Sequence, residues 1–176
     1  MTAFYQQTAL EVTGNQLKDG ERLQLQVNGT SMSPFLLPGD GVIVLKVAPQ
    51  GLARGDLVVA LREHDLVTHR LVAVENALWY LKGDNLPGID LPLPAEAILG
   101  RVVAVHRKGR IISLETPRWR LVNRILGWSG RSQMILFDFS ERFKVKLFGG
   151  RIPGWGSRLA WFAALPFRIL VRLLTL

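Results

Sequence analysis

The sequence predicts a mainly β domain followed by a basic, apolar helical region. Short segments of alternating or continuous apolar residues, separated by glycine- and proline-containing turns, fill the first two thirds of the chain. After Pro117, apolar residues recur at helical spacing. The excess positive charge also lies there: residues 118–176 hold 11 basic and 2 acidic side chains, whereas residues 1–117 hold 11 and 12.

The elements follow from these patterns in chain order. Residues 1–20 predict a short helix that ends at Gly20. Seven strands are expected next, over 23–27, 42–47, 57–61, 66–74, 78–81, 98–105 and 110–114. The last two form a predicted hairpin, and the three prolines of residues 84–94 indicate a loop with a rigid path.

The region after Pro117 predicts two amphipathic helices, over 119–128 and 131–148, followed by a strongly apolar segment. We therefore divide the chain into a short N-terminal helix (1–20), a β-rich domain (21–117) and a helical, basic and apolar tail (118–176). An excess of positive charge in the tail favours an anionic partner, either a membrane surface or a nucleic acid.

Composition excludes several kinds of site. The chain has 176 residues, 48% of them hydrophobic, which suits one domain with an appendage. It has no cysteine, so a disulfide framework and a thiolate zinc site are both excluded. Its three histidines, at positions 64, 69 and 106, follow no metal-ligand spacing. We expect neither a metal nor a cofactor.

One serine, one histidine and one aspartate form a candidate catalytic set. Ser31 lies between Gly29 and Pro34 at a strand end, where a turn exposes the hydroxyl and leaves backbone N–H groups free to hold an oxyanion. A serine hydroxyl also needs a base, and His69 lies in a predicted strand. Asp84 follows a glycine. Taken singly, each of these residues has a common structural explanation. His64 and His106 are expected to be exposed to solvent.

Four motifs in order resemble the type I signal peptidases. They are Gly29–Pro34 with Leu37–Asp40, Gly55–Val59, Thr68–Val72 and Lys82–Asn85. The resemblance covers residues 21–105 and is strongest to the Ser-His branch of archaea, the endoplasmic reticulum and some Gram-positive bacteria. That family (S26) comprises serine peptidases on a mostly β fold shared with the self-cleaving LexA-type proteins (S24).

The resemblance implies a role for each motif residue. Ser31 matches the nucleophile, and His69 stands where most bacterial signal peptidases and LexA-type proteins have a lysine base. Asp84 is the preferred residue to orient the imidazole, with Asp90 as the alternative. Gly29 replaces a serine that often helps bind the oxyanion in the lysine branch, so backbone N–H groups, notably that of Ser31, are expected to do so.

The implied function is a serine endopeptidase that cleaves leader or precursor peptides at or near a membrane, with such a peptide as its substrate. One alternative is a catalytically inactive, membrane-associated module on the same fold. A nucleic-acid-binding, LexA-like protein is disfavoured, because residues 1–20 are too short for a helix-turn-helix reader. Nucleic acid is therefore not an expected partner.

The tail predicts peripheral contact with a membrane. From Leu159 the apolar run has 18 residues and includes a proline and two arginines, whereas a span needs about 20 mostly apolar residues. An in-plane helix keeps the arginines among headgroups and buries the aromatic rings. The predicted contacts are Trp155, Trp161, Phe162, Phe167, Arg168 and Arg172. A spanning segment and packing in an oligomer remain alternatives.

The predicted location is the cytoplasmic membrane, on its cytoplasmic side. This prediction combines the tail with residues 1–20, which hold no apolar run behind a basic start, as a secretory leader would.

Overall fold

The computed structural model describes residues 20–148 except residues 64 and 87, with side chains through residue 135. The predicted N-terminal helix, His64 and all six predicted membrane contacts of the tail (Trp155, Trp161, Phe162, Phe167, Arg168 and Arg172) lie outside the described residues. Within the described part, no helix combines the length and the apolar content that crossing a membrane requires.

Among the described residues, seven strands form one antiparallel sheet. They are β1 (Arg22–Gln26), β2 (Gly41–Leu45), β3 (Leu57–Arg62), β4 (Asp65–Glu75), β5 (Leu78–Lys82), β6 (Ile98–Arg107) and β7 (Arg110–Ser113). Their order is β1-β2-β6-β3-β4-β5, and β7 pairs with the C-terminal end of β6. The structure confirms the predicted fold class, and each observed strand end lies within two residues of its predicted position.

The sheet is buried on both faces at its centre. In β3, Leu57 and Val59 pack into one hydrophobic cluster and Val58 and Ala60 into another. Successive side chains of a strand point to opposite faces, so a run of four apolar residues predicts a strand covered on both sides. The first cluster includes residues of the turns after β1 and of the helix, and the second lies between β3, β4, β5 and the loop at Leu93.

One long helix, α1 (Pro117–Phe148), replaces the two predicted helices. Its residues Val122 and Leu126 are buried in the first hydrophobic cluster. Gly127 lies within the helix, where the helix backbone packs against the turn before β3. A Cβ atom there would be 2.6 Å from the Cα atom of Gly55. The glycine therefore permits close packing in this position.

Candidate active site

The segment that carries Ser31 is fixed by the turn after β5. The backbone N–H of Asn85 donates to the Ser31 carbonyl at 2.7 Å, and the Asn85 side-chain amide donates to the Thr30 carbonyl at 3.1 Å. A Cβ atom on Gly83 would lie 2.9 Å from the Ser31 carbonyl oxygen, so this position requires glycine. The Lys82–Asn85 motif thus holds the serine segment in place through its backbone.

Ser31, His69 and Asp90 form a continuous chain of hydrogen bonds. His69 lies in β4 and is 3% exposed. Its Nε2 atom is 2.9 Å from Ser31 Oγ, and its Nδ1 atom contacts Asp90 Oδ2. An ionised carboxylate can only accept hydrogen bonds, so Nδ1 donates to Asp90. In the neutral ring, Nε2 is then free to accept the proton of the serine hydroxyl.

Asp84 does not orient the imidazole, which corrects the preferred sequence assignment. Its two carboxylate oxygens accept hydrogen bonds from Arg70 Nε at 2.8 Å and Arg70 Nη2 at 2.6 Å. His69 and Arg70 are neighbours in a strand, so their side chains leave on opposite faces. Asp84 is engaged by Arg70, and the alternative residue, Asp90, contacts His69 instead.

Arg70 is a buried connector that the sequence analysis did not identify. The side chain is 1% exposed, and its Nη1 atom donates to the Gly55 carbonyl at 2.9 Å and to Asn123 Oδ1 at 2.8 Å. Its guanidinium also lies 4.8 Å from the centre of the Phe35 ring. Arg70 and Asp84 therefore join β4, the turn before β3, the loop after β5 and helix α1.

Arg62 is a second residue that the sequence analysis missed. Its Nη1 atom lies 3.2 Å from Asp90 Oδ1, the carboxylate oxygen that does not face His69. Asp90 is thereby held from both sides. The Arg62 side chain is 41% exposed, and in sequence it resembles any solvated arginine near a hairpin. Only the fold brings it to Asp90, from which it is separated by 28 positions.

A cleft of about 310 Å³ opens beside the serine and the histidine. Ser31, His69 and Arg62 line it, together with apolar side chains such as Leu66 and Leu86. Gly29 also lines the cleft, and apart from its chain neighbours no described residue has an atom within 4 Å of the place where its Cβ would be. A peptide could therefore approach the serine hydroxyl along this side.

Asp40 closes the turn region that follows Ser31. Burial disfavours its charged form, but hydrogen bonds from Arg107 and from the Leu37 N–H, together with the Arg107 charge, outweigh burial and hold the pKa of Asp40 below its ordinary value. Arg107 Nη2 also donates to the Phe35 carbonyl at 2.8 Å. This ion pair ties β6 to the turn region that follows the serine.

The remaining candidate residue lies away from the cleft beside Ser31. His106, the other described histidine, is exposed and does not line the cleft beside Ser31. Among residues 20–148, leaving aside those not described, no group of three or more histidine, aspartate and glutamate side chains could hold a metal ion.

Comparison with known proteins supports a peptidase fold of the LexA type. The family described as Peptidase S24-like matches residues 3–103. The LexA repressors of Lactobacillus johnsonii and Lactobacillus gasseri are each 35% identical to the chain over 89 residues, which is 50% of this chain and 42% of the relative. The match thus spans less than half of those relatives. The chain belongs to the Peptidase S24-like family, a family of serine peptidases.

Proposed function

We propose that the chain is a serine endopeptidase in which Ser31 is the nucleophile, His69 the general base and Asp90 the group that orients the base. One observation carries this proposal: the Ser31 hydroxyl lies 2.9 Å from His69 Nε2 while Asp90 occupies the other ring nitrogen. A nucleophile, a base and an orienting acid in hydrogen-bond contact form the constellation that activates a serine.

The reaction follows from this geometry. His69 takes the hydroxyl proton as Ser31 Oγ attacks a peptide carbonyl. The resulting oxyanion is held by backbone N–H groups, notably that of Ser31, where Gly29 leaves open space. The C–N bond then breaks, and His69 gives its proton to the departing amine. A water molecule, deprotonated by His69, hydrolyses the acyl ester and releases Ser31.

We assign leader or precursor peptides as the substrates, in the manner of a signal peptidase. The resemblance over residues 21–105 and the His69 base support this assignment. The open cleft beside Ser31, which has room for a few side chains, also supports it. A membrane surface is the proposed partner of residues 155–176, because their aromatic and arginine residues suit a headgroup region.

Self-cleavage is the second candidate function, and the 35% identity to two LexA repressors favours it. In that case the scissile peptide belongs to the same molecule, and the protein would act as a LexA-like regulator. The chemistry at Ser31 is the same in both cases. The two functions differ in whether the peptide bond that is cut comes from another chain.

The deciding experiment incubates wild type, Ser31→Ala and Ser33→Ala with precursor-like peptides and locates the cuts by mass spectrometry. Ser33 is a matched control, because its hydroxyl points to the Leu36 carbonyl at 3.4 Å. We expect Ser31→Ala to lose at least about three orders of magnitude in rate and Ser33→Ala to retain activity. Cleavage by purified Ser31→Ala would refute the assignment of the nucleophile.

The same samples separate the alternatives. Self-cleavage within one molecule has a first-order rate constant that does not depend on protein concentration, whereas the observed rate constant for cleavage of added peptides rises with enzyme concentration. A wild-type protein that cuts neither itself nor any peptide, and that does not react with a fluorophosphonate probe, is an inactive module on a peptidase fold.

A further inference from the structure

A second cavity lies away from the catalytic cleft, between helix α1, β6 and the turn before β3. Its volume is about 220 Å³. A water molecule takes about 30 Å³ in the liquid, so the cavity has room for a group of several heavy atoms. Neither Ser31 nor His69 lines it.

Four arginines dominate the lining of this cavity. They are Arg54, Arg101, Arg120 and Arg124, and the two carboxylates beside them are Asp56 and Glu115. Arg101 is 3.9 Å from Asp56 and 3.1 Å from Glu115, so the acidic groups are engaged mainly by one arginine. The ionised lining then carries a net charge of +2, which favours an anion.

Two of the arginines present donors that lack an acceptor. The Nε atoms of Arg54 and Arg101 are buried and have no hydrogen-bond partner within the described part of the chain. A buried donor without an acceptor is unfavourable, because it has lost its hydrogen bonds to water. Guanidinium groups pair well with phosphate, whose several oxygens accept parallel hydrogen bonds. Phosphate is therefore an anion that this arginine-rich lining would pair with.

An exposed apolar stripe runs along helix α1 beside the cavity. Leu121, Ile125, Trp128 and Ile135 are between 44% and 58% exposed. Their spacing of four, three and seven residues places them on one face of the helix. Arg120 and Arg124 are one position before Leu121 and Ile125, and the Arg54 guanidinium lies 4.4 Å from the Trp128 ring centre. The cavity and the stripe are therefore contiguous.

We infer that this cavity binds the phosphate group of an anionic phospholipid while the stripe contacts the acyl boundary of the membrane. A soluble phosphate would use the arginines and leave the stripe in water, whereas a phospholipid uses both. Tryptophan beside a phosphate site also suits a membrane interface. The inference rests on the proposed membrane partner and adds a defined headgroup site within the described fold.

The test measures partition of the full chain onto vesicles by sedimentation. One set of vesicles is an equimolar mixture of phosphatidylcholine and phosphatidylglycerol, and the other is phosphatidylcholine alone. Arg120→Gln/Arg124→Gln removes two exposed cavity arginines, and Arg22→Gln/Arg110→Gln removes the same charge at exposed positions outside the cavity. A basic residue near an anionic surface contributes about 1 kcal/mol, so we expect the cavity variant to bind anionic vesicles at least about tenfold more weakly.

The control variant should stay within about threefold of wild type. Equal losses in both variants would mean general charge attraction and would overturn the inference. Wild-type binding with no loss in the cavity variant would overturn the inference but leave the membrane partner of residues 155–176 standing. Failure of wild type to bind either kind of vesicle would overturn both. Peptide cleavage is measured separately and tests neither.

Inorganic phosphate distinguishes the source of the ligand. Leu121→Ser/Ile125→Ser removes apolar stripe surface and keeps the arginines, so it should weaken vesicle binding while any thermal stabilisation by inorganic phosphate remains. If inorganic phosphate stabilises wild type but not Arg120→Gln/Arg124→Gln, and the stripe variant binds vesicles as wild type does, then the site serves a soluble phosphate and the lipid assignment is wrong.

Discussion

At the scale of single residues, His69 and Arg70 show how one strand serves both the proposed catalytic site and the protein interior. Each has its own carboxylate: Asp90 for the imidazole and Asp84 for the guanidinium. Both aspartates are in the loop after β5, and both were candidates from the sequence. A sequence motif favours Asp84, whereas side-chain alternation places His69 and Arg70 on opposite faces of β4, so one aspartate does not serve both.

Replacing each aspartate by asparagine should affect a different property: the labelling rate for Asp90 and the folding stability for Asp84. Asp90→Asn removes the acceptor that fixes the imidazole, so we expect the rate of Ser31 labelling by a fluorophosphonate to fall by about 10³–10⁴. Asp84→Asn leaves the buried Arg70 charge without its partner, so we expect about 3–5 kcal/mol of lost stability. Labelling kinetics and urea unfolding measure the two effects. If Asp84→Asn lost the labelling rate and Asp90→Asn did not, the structural assignment would be reversed.

Ser31 and His69 could be identified from the sequence, because ordered motifs contain them. Asp90 could not be chosen over Asp84 in the same way, because its position depends on the path of the proline-containing loop. The Asp90 N–H donates to the Leu81 carbonyl at 3.0 Å, and Leu93 forms an isolated bridge with Trp79. These contacts arise only when the loop packs back along β5. Arg62 is joined to Asp90 for the same reason.

At the scale of elements, helix α1 docks on the β domain by direct backbone contact. A Cβ atom on Gly55 would lie 2.2 Å from the Asn123 carbonyl oxygen, and Gly55 has a φ of +101°. Gly127 faces the same turn from the helix side. Strand positions could be predicted from local alternation, but the single long helix could not. A glycine within a helix predicts a break unless the approaching backbone is known.

Gly127→Ala tests this contact, because two effects of known size oppose each other. Alanine favours the helical conformation by about 1 kcal/mol over glycine. Its Cβ would lie 2.6 Å from backbone atoms of Gly55, and forced overpacking costs about 1–3 kcal/mol. Backbone atoms cannot turn away, so we expect net destabilisation in urea unfolding. Gly51→Ala has open space and serves as the control. A stabilised Gly127→Ala would show that the helix can shift.

At the scale of the whole molecule, charge is divided between a nearly neutral β domain and a basic C-terminal third. Residues 1–117 have a net charge of −1 and residues 118–176 one of +9. The proposed catalytic residues therefore belong to the part with almost no net charge. The basic cavity lies where helix α1 joins that part. The molecule thus has a separate surface for each of its two proposed partners, the peptide and the membrane.

The pH dependence of global stability should carry two contributions of opposite sign. The folded-state pKa of Asp40 is lowered, so its stabilisation is present above 3.8 and is lost as pH falls through the folded pKa. Burial raises the pKa of Asp56 above 3.8, although hydrogen bonding and nearby arginines oppose this. Folding therefore favours the neutral form of Asp56, and the free energy of unfolding falls as pH rises from 3.8 through the folded-state pKa.

Unfolding free energies of wild type, Asp40→Asn and Asp56→Asn across the acid range measure these contributions. The advantage of wild type over Asp40→Asn should shrink as the solution becomes more acidic. As pH rises above 3.8, wild type should lose unfolding free energy relative to Asp56→Asn. Identical pH profiles for all three proteins would mean that neither carboxylate changes its proton affinity on folding.

The arrangement of β4 also bears on how an incompletely folded copy behaves. If this strand paired one position out of step, the guanidinium would replace the imidazole at the serine and the imidazole would enter the interior. Such a copy would have no base beside Ser31, and Asp84 would lose its guanidinium partner. A copy mispaired in this way would lack the proposed base, so we expect the proposed peptide cleavage only from molecules in which β4 is correctly paired.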